Sequence, residues 1–357
     1  MRTAIAALRS AARLGTARVA NPRRTYATLS PHTPPPTTPY EVFDEPSKIR
    51  QRDRAILRLR EHEAVAGPGV VDYLREDIAE RLAERVEDLR VPPGSILEMT
   101  SHAGQVTKVL QEVLGDELHP SQEAGGVLGA EKRKWWMVES SDGALHRDND
   151  FEYPPTRIRA SMSDFLVEPE IAALRGKLDA VVSGSGLHWI GDIVGALTQM
   201  RHLLKPDGVF VGAVLGGDTL FELRTSLQLA EQERRGGIAN RVSPMINPTD
   251  APSLLTRAGY TLTTVDVEDV TIHYPSAWEL MSDLRDMGES NAILGRRAMV
   301  SRDVLLATEA IYKELYGVEG GVPATFQMIF MIGWNPGPNQ PKALERGSAQ
   351  QSLKDVL

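Results

Sequence analysis

The most constraining feature of this chain is the order of apolar and polar residues between positions 179 and 232. An apolar run at 180–182 passes into Gly and Ser, which is typical of a buried parallel strand that ends at a ligand crevice. Apolar residues then recur at helical spacing from Ile193 to Met200. Lys205-Pro206-Asp207-Gly208 stops that helix, and a second apolar, β-branched run follows at 209–214. Strand, helix and strand in this order predict half of a doubly wound α/β sheet.

The remaining apolar runs extend this sheet to seven strands. The other predicted strands are 95–99, 135–139, 158–162, 261–267 and 326–334, of which the last two should pair antiparallel. Leu74, Ile78, Leu82 and Val86 recur every four residues and predict a helix that packs on the sheet.

The domain boundaries follow from these elements. Residues 43–93 form a predicted helical extension, residues 94–336 the sheet domain, and residues 337–357 a flexible tail. Within the domain, residues 276–287 and 302–316 predict a helical insertion at about 276–316. In the extension, the segment 43–60 interleaves acids with arginines, which favours a solvated helix over a surface for a partner subunit or an anionic membrane.

The first residues differ in composition from the rest. Six arginines and no acid lie within residues 1–26, which is typical of a mitochondrial presequence cut after Tyr26, whereas a disordered basic tail is the alternative. A Pro- and Thr-rich linker follows at 27–42. Loss of the six arginines would take the formal charge from −8 to −14, so we expect no nucleic-acid partner.

Two absences in the composition exclude classes of site. The chain has no Cys, which excludes disulfides, thiolate metal ligands and a thiol nucleophile within it. It also has no apolar run of about 18 residues, so no transmembrane segment is expected.

Several strings of residues give a closer likeness. LHW at 187–189, LKPDGVF at 204–210 and GGDTLFELRTSLQLAE at 216–231 resemble class I methyltransferase-fold proteins. More narrowly, with YPSAWELMSDLRDMGESN at 274–291 and VPATFQMIFMIGW at 322–334, they resemble the methyltransferase-like assembly factors of mitochondrial complex I. The resemblance covers roughly residues 43–334.

That resemblance implies a Rossmann-like class I methyltransferase fold and a role in complex I assembly. Members of the family hydroxylate an arginine of a complex I subunit. It further implies that complex I subunits and assembly intermediates are the partners. The expected location is the mitochondrial matrix, at the matrix face of the inner membrane, with peripheral membrane association.

The resemblance also implies an S-adenosylmethionine site. In this fold the first strand leads into a turn of the form D/E-x-G-x-G-x-G, and here only Glu98 and Gly104 match it. Glu139, at the end of the second strand, is expected to accept hydrogen bonds from the cofactor ribose. Asp164 is the candidate on the adenine side, and Ser183 lies at the end of the fourth strand.

The lost glycines of this turn predict weak cofactor binding. Each replacement adds a Cβ atom and costs roughly 1–2 kcal/mol where the backbone must be left-handed. Thr100 and His102 also occupy volume near the expected ligand.

The candidate catalytic residues follow the fourth and fifth strands, at the carboxyl edge of the sheet where ligands bind. His188 could act as a general base or a metal ligand, or it could be a packed loop residue. Trp189 could stack on a guanidinium group, and Asp218 or Glu222 could pair with that cation. A turn and a helix cap would equally explain the residues around Asp218.

Three functions stay open at this point. They are an arginine hydroxylase of complex I assembly, an S-adenosylmethionine-dependent methyltransferase, and a non-catalytic assembly chaperone with a degenerate cofactor site. His146 and Asp148 have the spacing of an H-x-D metal motif, but about one such pair is expected by chance, so we predict no metal site.

Overall fold

A seven-stranded sheet organises the computed structural model, which describes residues 41–66, 72–115, 119–121, 129–297 and 299–341. The strands of this sheet are β1 (Ser95–Met99), β4 (Lys134–Glu139), β5 (Thr156–Arg159), β6 (Leu178–Gly184), β7 (Leu204–Leu215), β8 (Thr261–Tyr274) and β9 (Val322–Trp334). A separate antiparallel pair consists of β2 (His119–Ser121) and β3 (Gly129–Glu131).

The strand order is β5-β4-β1-β6-β7-β9-β8. The first five strands in this order are parallel, and β9 runs antiparallel to both of its neighbours. All seven predicted strands and the antiparallel last pair are thereby confirmed. The chain order reverses between β1 and β6, and such a switch point places a ligand crevice beyond the carboxyl ends of these two strands.

Ten helices in the described part of the chain surround the sheet. They are α1 (Glu45–Ala66), α2 (Tyr73–Glu87), α3 (Gln105–Leu114), α4 (Asp142–Leu145), α5 (Pro169–Ala172), α6 (Ile193–Leu203), α7 (Phe221–Arg235), α8 (Ala251–Arg257), α9 (Ala277–Asp286) and α10 (Arg302–Tyr316). None of them is long and apolar enough to cross a membrane.

The core lies on both faces of the sheet. Neighbouring residues of a strand point to opposite faces, so Ile96 packs in one cluster of buried residues and Leu97 in the other. The first cluster includes the whole predicted stripe of α2, and the second includes the buried face of α6. Strands buried on both faces account for the unbroken apolar runs of the sequence.

The last two strands are longer than the sequence indicated. β8 extends to Tyr274 because it pairs along the full length of β9, up to the partner Val322. The predicted insertion at 276–316 contains α9 and α10. The presequence 1–26 and nearly all of the linker 27–42 lie outside the described residues, as does the tail beyond position 341.

Candidate functional site

The loop after β1 keeps left-handed backbone conformations without glycine. Thr100 has φ 54° and His102 has φ 49°, and both residues are buried. The Thr100 hydroxyl group lies 2.9 Å from the hydroxyl of Ser183, so it fills the space between the ends of β1 and β6. The loop therefore has the turn that glycines would allow, at a cost of about 1–3 kcal/mol for each strained residue.

The two matching residues of the glycine motif hold the loop and the helix that follows. The Glu98 carboxyl group accepts hydrogen bonds from the Thr107 amide at 3.0 Å and from its hydroxyl at 2.5 Å. Burial raises the pKa of Glu98 to about 8. Gly104, at φ 90°, is the residue immediately before α3, and an added Cβ would lie 2.7 Å from atoms of Met137 and Phe151.

Glu139, the expected ribose acceptor, forms a buried ion pair inside the protein. Its Oε1 atom lies 2.8 Å from Nη1 of Arg52, which comes from α1, and both side chains are almost fully buried. The same carboxylate accepts hydrogen bonds from the amides of His102, Ser140 and Ser141. Burial alone would raise its pKa, but the Arg52 charge and these donors hold it below the ordinary value.

Helix α1 also covers the loop after β5, where the adenine-side acid was predicted. Its Glu45 accepts hydrogen bonds from the Met162 amide at 2.9 Å and from the Ser161 hydroxyl at 3.0 Å. Asp164 is exposed beside this contact and does not cap the turn that follows it.

With α1 in this position the crevice does not fit S-adenosylmethionine. The cavity between Arg52, Arg75, His102 and Arg147 has a volume of about 20 Å³, which is enough for one water molecule. Thr100 fills the loop side, and Glu139 is bound to Arg52. Cofactor binding at Glu98, Gly104, Glu139, Asp164 and Ser183 stays a prediction that requires α1 to move.

The predicted pair after β6 meets an acid that sequence reasoning did not select. His188 and Trp189 are buried, and the indole nitrogen of Trp189 donates a hydrogen bond to Oε2 of Glu289 at 2.6 Å. Arg75 donates to the other oxygen of Glu289 at 3.0 Å. Burial by itself would raise the pKa of Glu289, but His188, Lys48 and Arg75 hold it well below 4.5.

His188 is uncharged at neutral pH because burial lowers its pKa below 6.5, against the opposing effect of Glu289. Its Nε2 atom lies 3.5 Å from Oε2 of Glu289, and neither ring nitrogen has a hydrogen-bond partner among the described residues. A neutral imidazole beside an ionised carboxylate can accept a proton, as a general base requires.

A lysine of α1 completes this cluster. The Lys48 ammonium lies 3.2 Å from the centroid of the Trp189 ring, and it donates hydrogen bonds to the carbonyls of Gly288 and Ser290 at 3.2 and 2.7 Å. The side chain is almost fully buried. The prediction of a plain solvated helix at 43–60 is therefore wrong for Lys48 and Arg52, whose spacing of four residues puts them on one helix face.

The two remaining catalytic candidates have partners on β9. Asp218 is exposed and accepts a hydrogen bond from the Gln327 amide group at 3.3 Å. Glu222 is buried and accepts a hydrogen bond from the Thr325 hydroxyl at 2.6 Å. These hydrogen bonds attach the segment after β7 to β9. Neither acid takes the predicted place beside Trp189, which Glu289 occupies instead.

The H-x-D pair does not form a site with the cluster. His146 is exposed, and Asp148 forms ion pairs with Arg147 and Lys108. No group of three or more His, Asp or Glu residues in the described ranges could hold a metal ion.

Sequence reasoning therefore missed Lys48, Arg52, Arg75 and Glu289. Glu289 lies within the string at 274–291 that carries part of the resemblance, which was a usable signal. The cations of α1 gave no local signal, because their burial depends on contacts with residues more than 80 positions away.

Comparison with known proteins gives close relatives. No protein-family model matches the chain. The chain is 39% identical over 316 residues to the mitochondrial arginine hydroxylase NDUFAF5 of Danio rerio, covering 88% of this chain and 89% of that protein. Identity to the human protein of the same name is 38% over 317 residues, covering 88% and 83%.

More distant matches are methyltransferases. The malonyl-[acyl-carrier protein] O-methyltransferase of Laribacter hongkongensis is 27% identical over 304 residues, covering 83% of this chain and 94% of that protein. Among solved structures, a SAM-dependent methyltransferase of Thermotoga maritima matches at 11% identity with a TM-score of 0.40, covering 81% and 99% of the two chains.

The strand order alone establishes the fold as the Rossmann-like, seven-stranded class I methyltransferase type. Identity of 39% along most of both chains is far above what a shared fold requires. The chain belongs to the family of the mitochondrial arginine hydroxylase NDUFAF5.

Proposed function

We propose that this chain is a mitochondrial arginine hydroxylase that modifies an arginine of a complex I subunit during assembly. The observation that carries this proposal is the likeness, along 88% of the chain, to proteins named as arginine hydroxylases. The assembly role follows from the resemblance of the strings at 187–189, 216–231, 274–291 and 322–334. The action would take place at the matrix face of the inner membrane.

The chemistry of the crevice supports binding of a cationic side chain. Beyond the carboxyl end of β6, the indole N–H of Trp189 donates to the ionised Glu289, the neutral His188 lies beside the same carboxylate, and the face of the Trp189 ring holds the Lys48 ammonium group. An aromatic face and a carboxylate together favour a guanidinium group, which keeps its proton. The neutral imidazole would accept a proton from another group in the crevice.

S-adenosylmethionine is the cofactor that the fold type implies, but hydroxylation of a C–H bond is a two-electron oxidation, so the proposed reaction also needs an external oxidant that carries the oxygen atom, such as dioxygen with a reductant. Gly104, Glu139 and Ser183 lie at the loop where it would bind, and the buried Arg52 stands against Glu139. In the proposed reaction the chain's own residues would bind the arginine and hold Glu289 ionised.

Mass spectrometry of complex I subunits from cells with and without this gene tests the proposal. We expect an arginine-containing peptide to lose one oxygen atom in the deleted cells. Loss of one methylene unit would instead indicate a methyltransferase, and stalled assembly with every peptide mass unchanged would indicate a chaperone. Either result would contradict the proposed activity.

The location has a separate test. A tagged full-length protein should be imported into mitochondria, and removal of residues 1–26 should leave it outside. Import of the shortened protein would contradict the assignment of the presequence.

A further inference from the structure

The surroundings of the Lys48 ammonium group have the composition of a binding site for a cation. The Lys48 nitrogen lies 3.2 Å from the centroid of the Trp189 ring, and it donates hydrogen bonds to the carbonyl oxygens of Gly288 and Ser290. Glu289 supplies the nearby negative charge through a carboxylate that the indole nitrogen of Trp189 orients. An aromatic face, a carboxylate and carbonyl oxygens can together bind a cation from outside the chain in place of Lys48.

We infer that this box, formed by Trp189, Glu289 and the carbonyls of Gly288 and Ser290, is the binding site for the guanidinium group of the substrate arginine. Lys48 is the intramolecular stand-in that leaves when the arginine enters. The inference rests on the proposed hydroxylase function and names the residues that would recognise its substrate.

A guanidinium group suits the box better than an ammonium group does. It is planar, stacks on an aromatic face and offers five donors, whereas an ammonium group offers three donors and is more strongly hydrated. Glu289 already accepts a hydrogen bond from one guanidinium group, that of Arg75, at 3.0 Å.

Lys48 is poorly stabilised where it lies. Burial lowers its pKa well below 10.5, and Arg52 and Arg75 lower it further, against the opposing effect of Glu289. The ammonium group therefore gains by returning to water, while an arginine keeps its charge in such a place.

The helix that carries Lys48 is held mainly by polar contacts. Ala55 is the one hydrophobic residue of α1 that is buried, among those whose side chains are described. The remaining attachments include hydrogen bonds from Ser141 to Asp53 at 2.6 Å and from Arg58 to Asp286 at 2.7 Å. A further attachment is the buried ion pair of Arg52 with Glu139, whose net contribution is small because both charges regain water when α1 lifts. Water can replace the exposed contacts at small cost, so α1 can lift without disturbing the core.

Calorimetric titration with N-acetyl-arginine amide tests the inference. The probe should bind the Lys48→Met variant about tenfold or more tightly than the unchanged protein, because the site is no longer occupied by the chain itself. Lys313→Met is the matched control, since Lys313 is exposed and paired with Glu309, and it should leave the affinity unchanged.

Two related probes test the chemistry of the site in the Lys48→Met variant. N-acetyl-citrulline amide has the same shape without the charge, and N-acetyl-lysine amide has the charge without the planar group. Both should bind more weakly than the arginine probe, by about tenfold or more. The citrulline probe lacks the charge-assisted hydrogen bonds, and the lysine probe lacks the stacking on Trp189. Glu289→Gln in the same background should weaken the arginine probe alone, with thermal unfolding as the check on folding.

Equal binding of the three probes, or no gain from Lys48→Met, would overturn the inference. The outcome is separate from that of the proposed function. If the probes behave as expected but gene deletion leaves every arginine peptide unchanged, the site stands and the hydroxylase proposal fails. If deletion removes the oxygen while Lys48→Met gains nothing, the hydroxylase stands and this assignment of the site fails.

Discussion

At the residue scale, Gly104 shows why one glycine of the motif has to remain. Its φ of 90° is unfavourable for any other residue, and its Cα hydrogen faces Met137 and Phe151. Thr100 and His102 need only the mild left-handed region near 50°, which side chains can adopt at moderate cost. The loop therefore has other residues at positions that tolerate a Cβ atom, and it has glycine at position 104, where a Cβ atom would overlap with Met137 and Phe151.

We expect Gly104→Ala to destabilise the protein by about 2–4 kcal/mol, because it adds overpacking to backbone strain. Gly176→Ala is the matched control, since Gly176 also has a positive φ, 66°, but has no atom within 4 Å of an added Cβ. The control should lose only about 1–2 kcal/mol. Urea unfolding of both variants measures the difference, and equal losses would show that the contacts with Met137 and Phe151 carry no cost.

A second residue-scale prediction concerns Glu98. Burial raises its pKa from 4.5 to about 8 in the folded protein, so the folded state binds a proton that the unfolded state releases. Its contribution to stability is fully present below pH 4.5 and is lost as the pH rises towards 8, at up to about 1.4 kcal/mol per pH unit.

Glu98→Gln should remove this slope, because a neutral amide oxygen can still accept both bonds from Thr107. The free energy of unfolding of the variant should exceed that of the unchanged protein most at pH 8. Glu80→Gln, at an exposed position on α2, is the control. Parallel pH curves for Glu98→Gln and the unchanged protein would mean that Glu98 is ionised in the folded state.

At the element scale, α1 and α2 are held by different forces. Helix α2 buries six apolar side chains against the sheet, whereas α1 buries Ala55 and inserts Lys48 and Arg52. Apolar burial contributes about 25 cal/mol for each Å² removed from water, whereas a buried ion pair contributes little net stability because desolvation offsets the attraction of the charges. α1 is therefore a cover on the crevice, and α2 is part of the core.

We expect the backbone amides of α1 to exchange with deuterium faster than those of α2. Local opening requires the loss of little buried apolar surface at α1, whereas opening of α2 exposes the core. Hydrogen exchange followed by mass spectrometry measures both helices in one experiment, so α2 is the internal control. Equal protection of the two helices would show that the ion pair of Arg52 with Glu139 holds α1 as firmly as apolar packing holds α2.

At the scale of the whole molecule, buried ion pairs join the N-terminal extension to the sheet domain. Glu139, at the end of β4, forms an ion pair with Arg52. Glu289, between α9 and α10, forms an ion pair with Arg75. The folded-state pKa values of both acids lie below 4.5. Their contribution to stability is present above that pH and is lost as the pH falls through the depressed folded values.

Glu139→Gln should therefore cost about 3–5 kcal/mol at neutral pH, because it leaves Arg52 buried without its partner charge. The difference from the unchanged protein should shrink as the pH falls below 4.5, because the carboxyl group is protonated first in the unfolded state and, at lower pH, in the folded state as well. Urea unfolding at several pH values measures this, with the exposed Asp303→Asn as control. A difference that stays constant down to acid pH would exclude the ion pair as its cause.

The sequence by itself determined the sheet. Seven apolar runs, the stripe of α2 and the turn at 205–208 are local patterns, and each maps onto an element because burial on two faces requires an unbroken run. It also placed His188 and Trp189 at the crevice, since the end of a parallel strand at the switch point fixes where the following residues lie.

Only the tertiary structure decided which charges meet there. Lys48, Arg52 and Glu289 come from distant parts of the chain, and nothing in the local composition of a charged helix separates a buried cation from a solvated one. Whether Asp218, Glu222 or Glu289 reaches Trp189 likewise depends on how the loops after β7 and α9 fold back. A charged side chain is buried only where partners of opposite charge or hydrogen-bonding groups stabilise it, and only the complete fold brings those partners together.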